Sequence, residues 1–281
     1  MMTKRTVRMT APTHRTLEGG GFPVRRPAAM GSLMSPFLLL DEMGPVEWGP
    51  REAIGAPDHP HRGFETVTYL LEGAMQHADS AGNRGKINPG DVQWMTAGRG
   101  VIHSELPQDD FFETGGLTHG FQIWVNLPSE HKMMQPRYQD IPANQIPKAV
   151  SDDGLVSAVV IAGEALGVSA VIDTVIPIQL IHVKMKPNSS FSHSIQSDLN
   201  VMAYVFGGAL SIEGKTIEDG QLGLLTQGDK IEFTTGKKGA EFLLMGGPEL
   251  NEPIARYGPF VMNTREEIHQ AVLDFQNGTL A

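Results

Sequence analysis

The chain has 281 residues, enough for one large domain or two of ordinary size. Hydrophobic residues make up 40% and charged residues only 19%, with 32 Gly and 19 Pro, a composition that favours an all-β fold with many turns. The net charge of -10 argues against direct binding to nucleic acid or to an anionic membrane surface. Because the chain has no cysteine, disulfides, thiolate metal sites and thiol catalysis are excluded.

The sequence contains no apolar run as long as a transmembrane helix. Basic residues near the start are not followed by the apolar stretch of a secretory signal. The absence of cysteine also fits a reducing compartment. We therefore expect a cytoplasmic protein that does not bind membranes.

Strand patterns recur at short intervals through the first half of the chain. Runs of β-branched, aromatic and aliphatic residues are separated by Gly, Pro, Asn and Asp. Strands are predicted over 37–41, 66–73, 75–79, 92–95, around 103–105 and over 119–127. Residues 44–58 are rich in Pro and Gly and are predicted to form a loop. Such regular short strands are typical of a sandwich or barrel.

The second half repeats part of the first half. Tyr204–Leu210 resembles Tyr69–Met75, and Gln227–Phe233 resembles Pro89–Met95, at nearly the same offset. The second copy has no His-x-His and no His-x-Glu sequence. The pattern predicts a duplicated barrel in which only the first copy carries metal-binding residues.

A proline-rich stretch, 128–146, is predicted to link the two copies. The expected domains are therefore 1–135, which binds metal, and 136–281, which lacks metal ligands. Near the end, Thr264–Phe275 has the apolar spacing of a helix, with Asn263 or Thr264 as its N-cap.

Two short motifs carry the chemistry. His59 and His61 stand two residues apart, and His103 and Glu105 repeat that spacing. On a β-strand, residues two apart point to the same face, so two neighbouring strands can direct all four side chains at one point. Three imidazoles and a carboxylate form a ligand set for a divalent metal. A His-x-His sequence alone often occurs by chance, and Glu65 is an alternative carboxylate that spacing does not exclude.

The order of these residues resembles the cupin motifs. The first cupin motif matches His59, His61, Glu65 and Gly73, and the second matches a Gly90-Asp91 turn followed by His103. The Pro-x-Gly of the second motif is replaced here by Gly98-Arg99-Gly100. That departure, together with the segments 57–67, 88–100 and 122–128, resembles the pirin family closely, and the likeness extends more loosely to nearly the whole chain.

The resemblance implies an all-β protein of two cupin barrels (double-stranded β-helices, or jelly rolls) facing each other, with a short C-terminal helix. It implies one iron, Fe(II), in the N-terminal barrel. The implied ligands are His59, His61, His103 and Glu105, and Glu65 then supports the ligands or serves the fold. Manganese, nickel, cobalt, copper and zinc accept the same donor set, so the metal stays open.

Several pirins are flavonol (quercetin) 2,3-dioxygenases, so the resemblance implies an enzyme that uses O2 and a small aromatic substrate. Four protein ligands leave two open positions on an octahedral metal, and Glu105 is our candidate to accept the substrate proton. The alternative is an iron-dependent redox sensor that binds a transcription factor or a metabolic enzyme, because an acidic chain is a poor direct ligand for DNA. The third hypothesis is a storage or sugar-binding cupin that has no catalytic activity.

Aromatic and polar residues near the motifs are candidates for the walls of a substrate pocket. The same residue types also fill barrel cores, and a buried histidine often serves only as a hydrogen-bonded structural group. The candidates are Phe64, His77, Trp94, Met95, His119, Phe121 and Gln122.

Overall fold

The computed structural model describes residues 3–281, and its elements are almost all strands. The eleven strands of the first half are β1 Val7–Glu18, β2 Phe22–Pro27, β3 Phe37–Trp48, β4 Ala56–His61, β5 Phe64–Glu72, β6 Met75–Asp79, β7 Arg84–Ile87, β8 Val92–Thr96, β9 Val101–Pro107, β10 Gly116–Asn126 and β11 Arg137–Ile141.

Twelve further strands follow in the second half. They are β12 Lys148–Val150, β13 Val156–Ala162, β14 Glu164–Ala165, β15 Val168–Ser169, β16 Gln179–Met185, β17 Ser190–Ser194, β18 Asn200–Ile212, β19 Lys215–Glu218, β20 Gln221–Leu225, β21 Lys230–Gly247, β22 Ala255–Tyr257 and β23 Phe260–Met262. The α-helices are α1 Asp109–Thr114 and α2 Arg265–Gln276, and short 3-10 turns cover Gly31–Met34 and Ser129–His131.

The strands form two compact units. The front unit comprises residues 15–26, 37–143 and 250–281, and the back unit comprises residues 3–14, 27–36 and 144–249. The chain crosses between the units after residues 14, 26, 36, 143 and 249. The division into domains 1–135 and 136–281 remains a prediction. The sequence did not indicate that the first strand begins in the back unit or that the last residues belong to the front unit.

The front unit contains two sheets. One has the strand order β11-β8-β5-β10-β3-β2, and the other has the order β4-β9-β6-β7. Strand β10 shows how the sequence sets the faces of the first sheet: Phe121, Ile123 and Val125 are fully buried, whereas Gln122 and Trp124 between them are only partly buried. This alternation with a period of two separates core residues from residues that face a cavity.

Two predicted loops are shorter than expected. Strand β3 continues to Trp48, because Gly44 adopts a positive φ of 78° at a bulge opposite Thr118 and the chain then pairs again with β10. In the predicted linker, Arg137–Ile141 forms β11 and pairs with β8, with Tyr138 opposite Met95. Flanking prolines concealed this short edge strand in the sequence.

The back unit has the strand order β20-β18-β21-β16-β13-β12, with β17 added to β21 and β19 to β18. Its interior is a continuous apolar cluster that includes Phe191, Phe233 and Phe242. Its two histidines are used locally: His182 Nε2 lies 3.0 Å from a Glu241 carboxylate oxygen, and His193 is buried on β17. Among residues 3–281, His, Asp and Glu side chains meet as a candidate metal set only in the front unit.

The predicted C-terminal helix is confirmed as α2. Thr264 caps it through a capping box: its hydroxyl accepts the Glu267 N–H at 3.2 Å, and the Glu267 carboxylate accepts the Thr264 N–H at 2.9 Å. Neither α-helix in the described part of the chain is long and apolar enough to cross a membrane.

Two buried cations fix the last residues to the barrel of the front unit. Arg62 donates to Asp274 at 2.7 Å and also bonds the carbonyl of Arg99. Lys132, 1% exposed, donates from Nζ to the Gly63 carbonyl at 2.9 Å, to Asn126 at 2.7 Å and to Val261 at 3.0 Å. Burial lowers the pKa of Lys132 to about 8. Because all three of its donors are used, Lys132 stabilises the fold rather than serving as a nucleophile.

We expect His193 to make the back unit sensitive to acid. Its Nε2 has no hydrogen-bond partner in the described part of the chain, and burial lowers its pKa from 6.5 to about 4. Unfolding raises the pKa again, so the unfolded state binds more protons between these values and stability falls as pH drops below 6.5. A shift of this size corresponds to about 3 kcal/mol lost by pH 4.

Hydrogen exchange of β17 and β21 amides at pH 7.5 and 4.5 measures this loss, after correction for intrinsic exchange rates. His193→Leu should show a smaller difference between the two pH values than the unmodified chain. An identical pH dependence in both proteins would exclude His193 as the source.

Candidate metal centre

Three imidazoles meet where β4 pairs with β9. Within this antiparallel pair His59 stands opposite His103, and a register shift between Ala56 and His59 sets that alignment. The ring centroids of His59 and His61 are 4.6 Å apart, those of His59 and His103 are 4.5 Å apart, and those of His61 and His103 are 5.1 Å apart. One ring nitrogen from each lies within 4.8 Å of the others, so the three side chains can share one ion.

Burial keeps two of these imidazoles, those of His61 and His103, uncharged. His61 is 3% exposed, and burial, reinforced by His103 and His59, holds its pKa well below 6.5. His103 is fully buried, and burial lowers its pKa to about 4 although the charge of Glu105 acts in the opposite direction. At neutral pH both rings therefore offer lone pairs, which is the form that coordinates a metal.

The backbone selects which nitrogen of His59 is available. Its Nδ1 lies 2.8 Å from the Pro57 carbonyl oxygen, which accepts only from a protonated nitrogen. The lone pair of His59 is therefore on Nε2. A hydrogen bond from the non-coordinating nitrogen to a carbonyl is the usual support for a metal-binding histidine.

The remaining nitrogens of the cluster show that a cation fits. Neither ring nitrogen of His103 has a hydrogen-bond partner among the described residues, nor has Nδ1 of His61, although all three atoms are buried. A buried polar atom without a partner costs roughly 1–3 kcal/mol. Coordination of a divalent ion by one nitrogen of each ring relieves much of this cost, and imidazole suits such ions.

Glu105 lies close to the three histidines but outside their mutually close set. It is 7% exposed on β9, opposite His77 on β6, and its Oε1 lies 2.8 Å from the hydroxyl of Thr68. Its charge reaches His103, since it raises the pKa of that ring. The four-ligand set that includes Glu105 remains a prediction.

Glu65, the alternative carboxylate, has a different position. It is fully buried on β5, and its Oε1 accepts a hydrogen bond of 2.6 Å from Thr96 on the paired strand β8. It does not belong to the close histidine set or to the cavity wall. We infer that Glu65 serves the interior of the barrel.

The histidine cluster opens into a cavity of about 540 Å³, within the range of small-molecule sites. His59, His61 and Glu105 form part of its wall. Its apolar wall residues are Phe22, Val24, Leu39, Met43, Met75 and Trp124, and its other polar ones include Glu18, Arg26, Asp41, Asp58, Gln122 and Arg256.

Of the predicted pocket residues, only Gln122 lies in this wall. The others occupy the core or separate hydrogen-bonded positions. Phe121 does so because it alternates with Gln122 along β10. The candidates that lie outside this wall are Phe64, His77, Trp94, Met95, His119 and Phe121.

Two of these residues have clear structural roles. Phe64 packs behind the site, with its ring 5.1 Å from His61 and 4.4 Å from Trp124. His119 Nε2 lies 2.9 Å from the Glu42 carboxylate. Trp124 was missed as a wall residue, although its even spacing from Gln122 on one strand was a usable signal.

Arg26 supplies fixed charge in the cavity. It bonds both oxygens of Asp41, with Nε at 2.6 Å from Oδ1, and also contacts Glu18. These carboxylates raise the pKa of Arg26. A bidentate pair of this kind holds both side chains in one orientation, so Arg26 and Asp41 form a fixed part of the wall.

The fold and the site define a two-domain cupin with a candidate metal centre in its front unit. The chain belongs to the pirin family. The family model described as Pirin matches residues 21–125, and the model described as Pirin C-terminal cupin domain matches residues 180–281. Both matches confirm the family and the duplicated fold expected from the sequence.

Individual proteins support the same assignment. Pirin of Homo sapiens is 42% identical over 99% of this chain and 94% of its own length. A pirin-like protein of Solanum lycopersicum is 42% identical over 93% of this chain and 88% of its own. A solved structure of quercetin 2,3-dioxygenase from Acinetobacter baumannii is 37% identical, with a TM-score of 0.95 and 99% coverage of both chains.

Proposed function

We propose that this chain is an iron-dependent dioxygenase that opens flavonols such as quercetin with O2. The observation that carries the proposal is the convergence of three imidazoles at a cavity large enough for a small aromatic molecule. The likeness to a quercetin 2,3-dioxygenase structure over the whole chain supports it.

In this proposal His59, His61, His103 and Glu105 hold the metal. When bound, the metal supplies a Lewis acid that lowers the pKa of a coordinated substrate hydroxyl and a redox centre for O2 chemistry. The neutral imidazoles leave the site with residual positive charge, which favours a deprotonated flavonol over a neutral one.

The cavity walls orient the substrate and exclude water. Trp124 lies edge-on to His61, with ring centroids 5.4 Å apart and planes at 76°. Phe22, Leu39 and Met43 add apolar surface. A planar aromatic ligand can pack on these side chains while its oxygen atoms reach the histidines. These apolar side chains also displace water from the ligand faces that they contact.

Thr68 positions Glu105. The Thr68 hydroxyl lies 2.8 Å from Glu105 Oε1 and 2.7 Å from Gln122 Oε1. A hydroxyl has one proton, so Thr68 donates to one of these two oxygens at a time, and in our proposal that oxygen is Glu105 Oε1. In our proposal Oε2 of Glu105 holds the metal and accepts the substrate proton when it is released from the metal.

Quercetin turnover tests the proposal. Protein loaded with one iron per chain should consume quercetin and O2, release carbon monoxide and lose the flavonol absorbance. Metal-free protein and a His103→Leu variant are the controls and should be inactive. Full iron occupancy without consumption would contradict the enzyme proposal and favour the redox-sensing alternative.

Glu105→Gln should lower turnover more than metal content. The amide keeps the shape and can accept from Thr68, but it does not accept the substrate proton, and a lost general base typically costs a factor of about 10²–10⁴. The measurements are the initial rate with quercetin and the iron content per chain. Thr68→Val, which removes the hydroxyl beside Glu105, serves as the intermediate control. Equal losses of rate and iron would show that Glu105 is only a ligand.

A further inference from the structure

Arg256 is a cation of the cavity wall that the proposed chemistry does not use. It lies on β22, in the hairpin formed with β23, and this hairpin also contributes Gly258 and Pro259 to the wall. Its guanidinium carbon is 4.8 Å from the centroid of the Trp124 ring. Contact with an aromatic face holds a guanidinium in place without using its N–H donors.

Trp124 connects Arg256 to the candidate metal centre. The Trp124 ring is 5.4 Å from the His61 ring and 4.8 Å from the guanidinium carbon of Arg256, so Arg256 lies within roughly 10 Å of that imidazole. A ligand of two or three rings that reaches the histidines with one edge therefore has its far end near Arg256.

The two arginines of the cavity differ in their partners. Arg26 is committed to Asp41 and Glu18. In residues 3–281, Arg256 has its contact with Trp124 but no carboxylate in ion-pair distance and no side-chain hydrogen bond. Its five N–H donors are available to a ligand.

The charges around the cavity favour an anion beside Arg256 over an anion elsewhere in the wall. The cavity wall also carries Glu18, Asp58 and Glu105, which disfavour an anion elsewhere in it. Burial and the positive charge of Arg26 lower the pKa of Arg256, against the opposing effect of Glu18 and Asp41. An anion placed beside Arg256 would offset the free-energy cost of burying its charge. It would also meet a guanidinium that no carboxylate among the described residues already binds by a hydrogen bond.

We propose that Arg256, held on Trp124, binds an anionic group at the end of an aromatic ligand opposite its metal-binding oxygens. The ligand class is then an acidic aromatic compound, such as a flavonol or smaller hydroxyaryl ketone that carries a carboxylate on its distal ring. This inference rests on the proposed function, because the near end of the ligand is assigned to the histidine cluster.

A matched pair of ligands tests it. 3-Hydroxyflavone and its 4′-carboxylate differ only in the distal anion. Their dissociation constants are measured by calorimetry with Fe(II)-loaded protein under nitrogen, so that no turnover occurs. The variants are Arg256→Met, which keeps the packing on Trp124, and Arg256→Lys, which keeps the charge. Arg84→Met, on the exposed strand β7, is the control for net charge.

We expect the unmodified protein to prefer the carboxylate. Arg256→Met should weaken binding of the carboxylate by about tenfold to a hundredfold, the usual effect of losing a charge-assisted hydrogen bond, and leave 3-hydroxyflavone unchanged. Arg256→Lys should restore part of the preference, and Arg84→Met should match the unmodified protein.

Two other outcomes overturn the inference in distinguishable ways. If both ligands bind and the ratio of their dissociation constants is the same in every variant, Arg256 does not recognise the anion. The proposed function still stands in that case. If neither ligand binds the iron-loaded protein, the proposed function fails together with the inference.

Discussion

Metal-free protein should become more stable when His103 is replaced by Leu, and should at the same time lose its response to Fe(II). Both ring nitrogens of His103 are buried and have no hydrogen-bond partner within residues 3–281, so their removal relieves roughly 1–3 kcal/mol. In the unmodified protein, Fe(II) at a thousand times its dissociation constant should add about 4 kcal/mol. The substitution removes a ligand and should abolish that gain.

Thermal melts with and without Fe(II) measure both effects. All three tryptophans, Trp48, Trp94 and Trp124, lie in the front unit, so their fluorescence reports on that unit. The control is His193→Leu, which removes another buried and incompletely bonded imidazole but should keep the full response to Fe(II). If His103→Leu bound iron as tightly as the unmodified chain, His103 would not be a ligand.

The second large effect concerns the attachment of the C-terminal helix. Asp274 on α2 forms a 2.7 Å ion pair with Arg62, whose side chain is only 5% exposed. Asp274→Ala would leave a buried guanidinium without its counter-charge, which costs about 3–5 kcal/mol. We expect α2 to lose its protection against hydrogen exchange, while the amides of the back unit keep theirs.

Matched substitutions separate charge from packing. Asp274→Asn keeps a hydrogen-bond acceptor and should cost less than Asp274→Ala. Gln270→Ala removes the other side-chain partner of Asp274, at 2.7 Å, but leaves the ion pair intact and should have a small effect. Equal exchange rates for α2 in all three variants would mean that apolar packing of Ala271 and Leu280 alone holds the helix.

Much of the fold was predictable because it depends on short-range rules. The capping box at Thr264 and Glu267 places the start of α2 directly, since its two bonds join residues three apart. The edge strand Arg137–Ile141 was not predicted, because no short-range rule defines it. Five partly polar residues between prolines give no local signal, and only pairing with β8 makes them a strand.

The pocket was less predictable than the histidine cluster. Phe121 and Gln122 are neighbours on β10, so they cannot face the same way, yet both were candidates for the wall. Only the structure shows that Gln122 and Trp124 face the cavity, whereas Phe121 is buried. Composition near a motif indicates aromatic surface, but which face of each strand meets solvent depends on how the two sheets pack.

The sequence by itself determined the family and the duplicated cupin fold through its motifs and its internal repeat. It also determined the three histidines that meet, because a strand alternates its side chains with a fixed period of two. Tertiary structure alone placed Arg256 on Trp124 and Asp274 on Arg62. These partners are separated by well over a hundred residues, and the chain brings them together only through packing of elements that no local pattern relates.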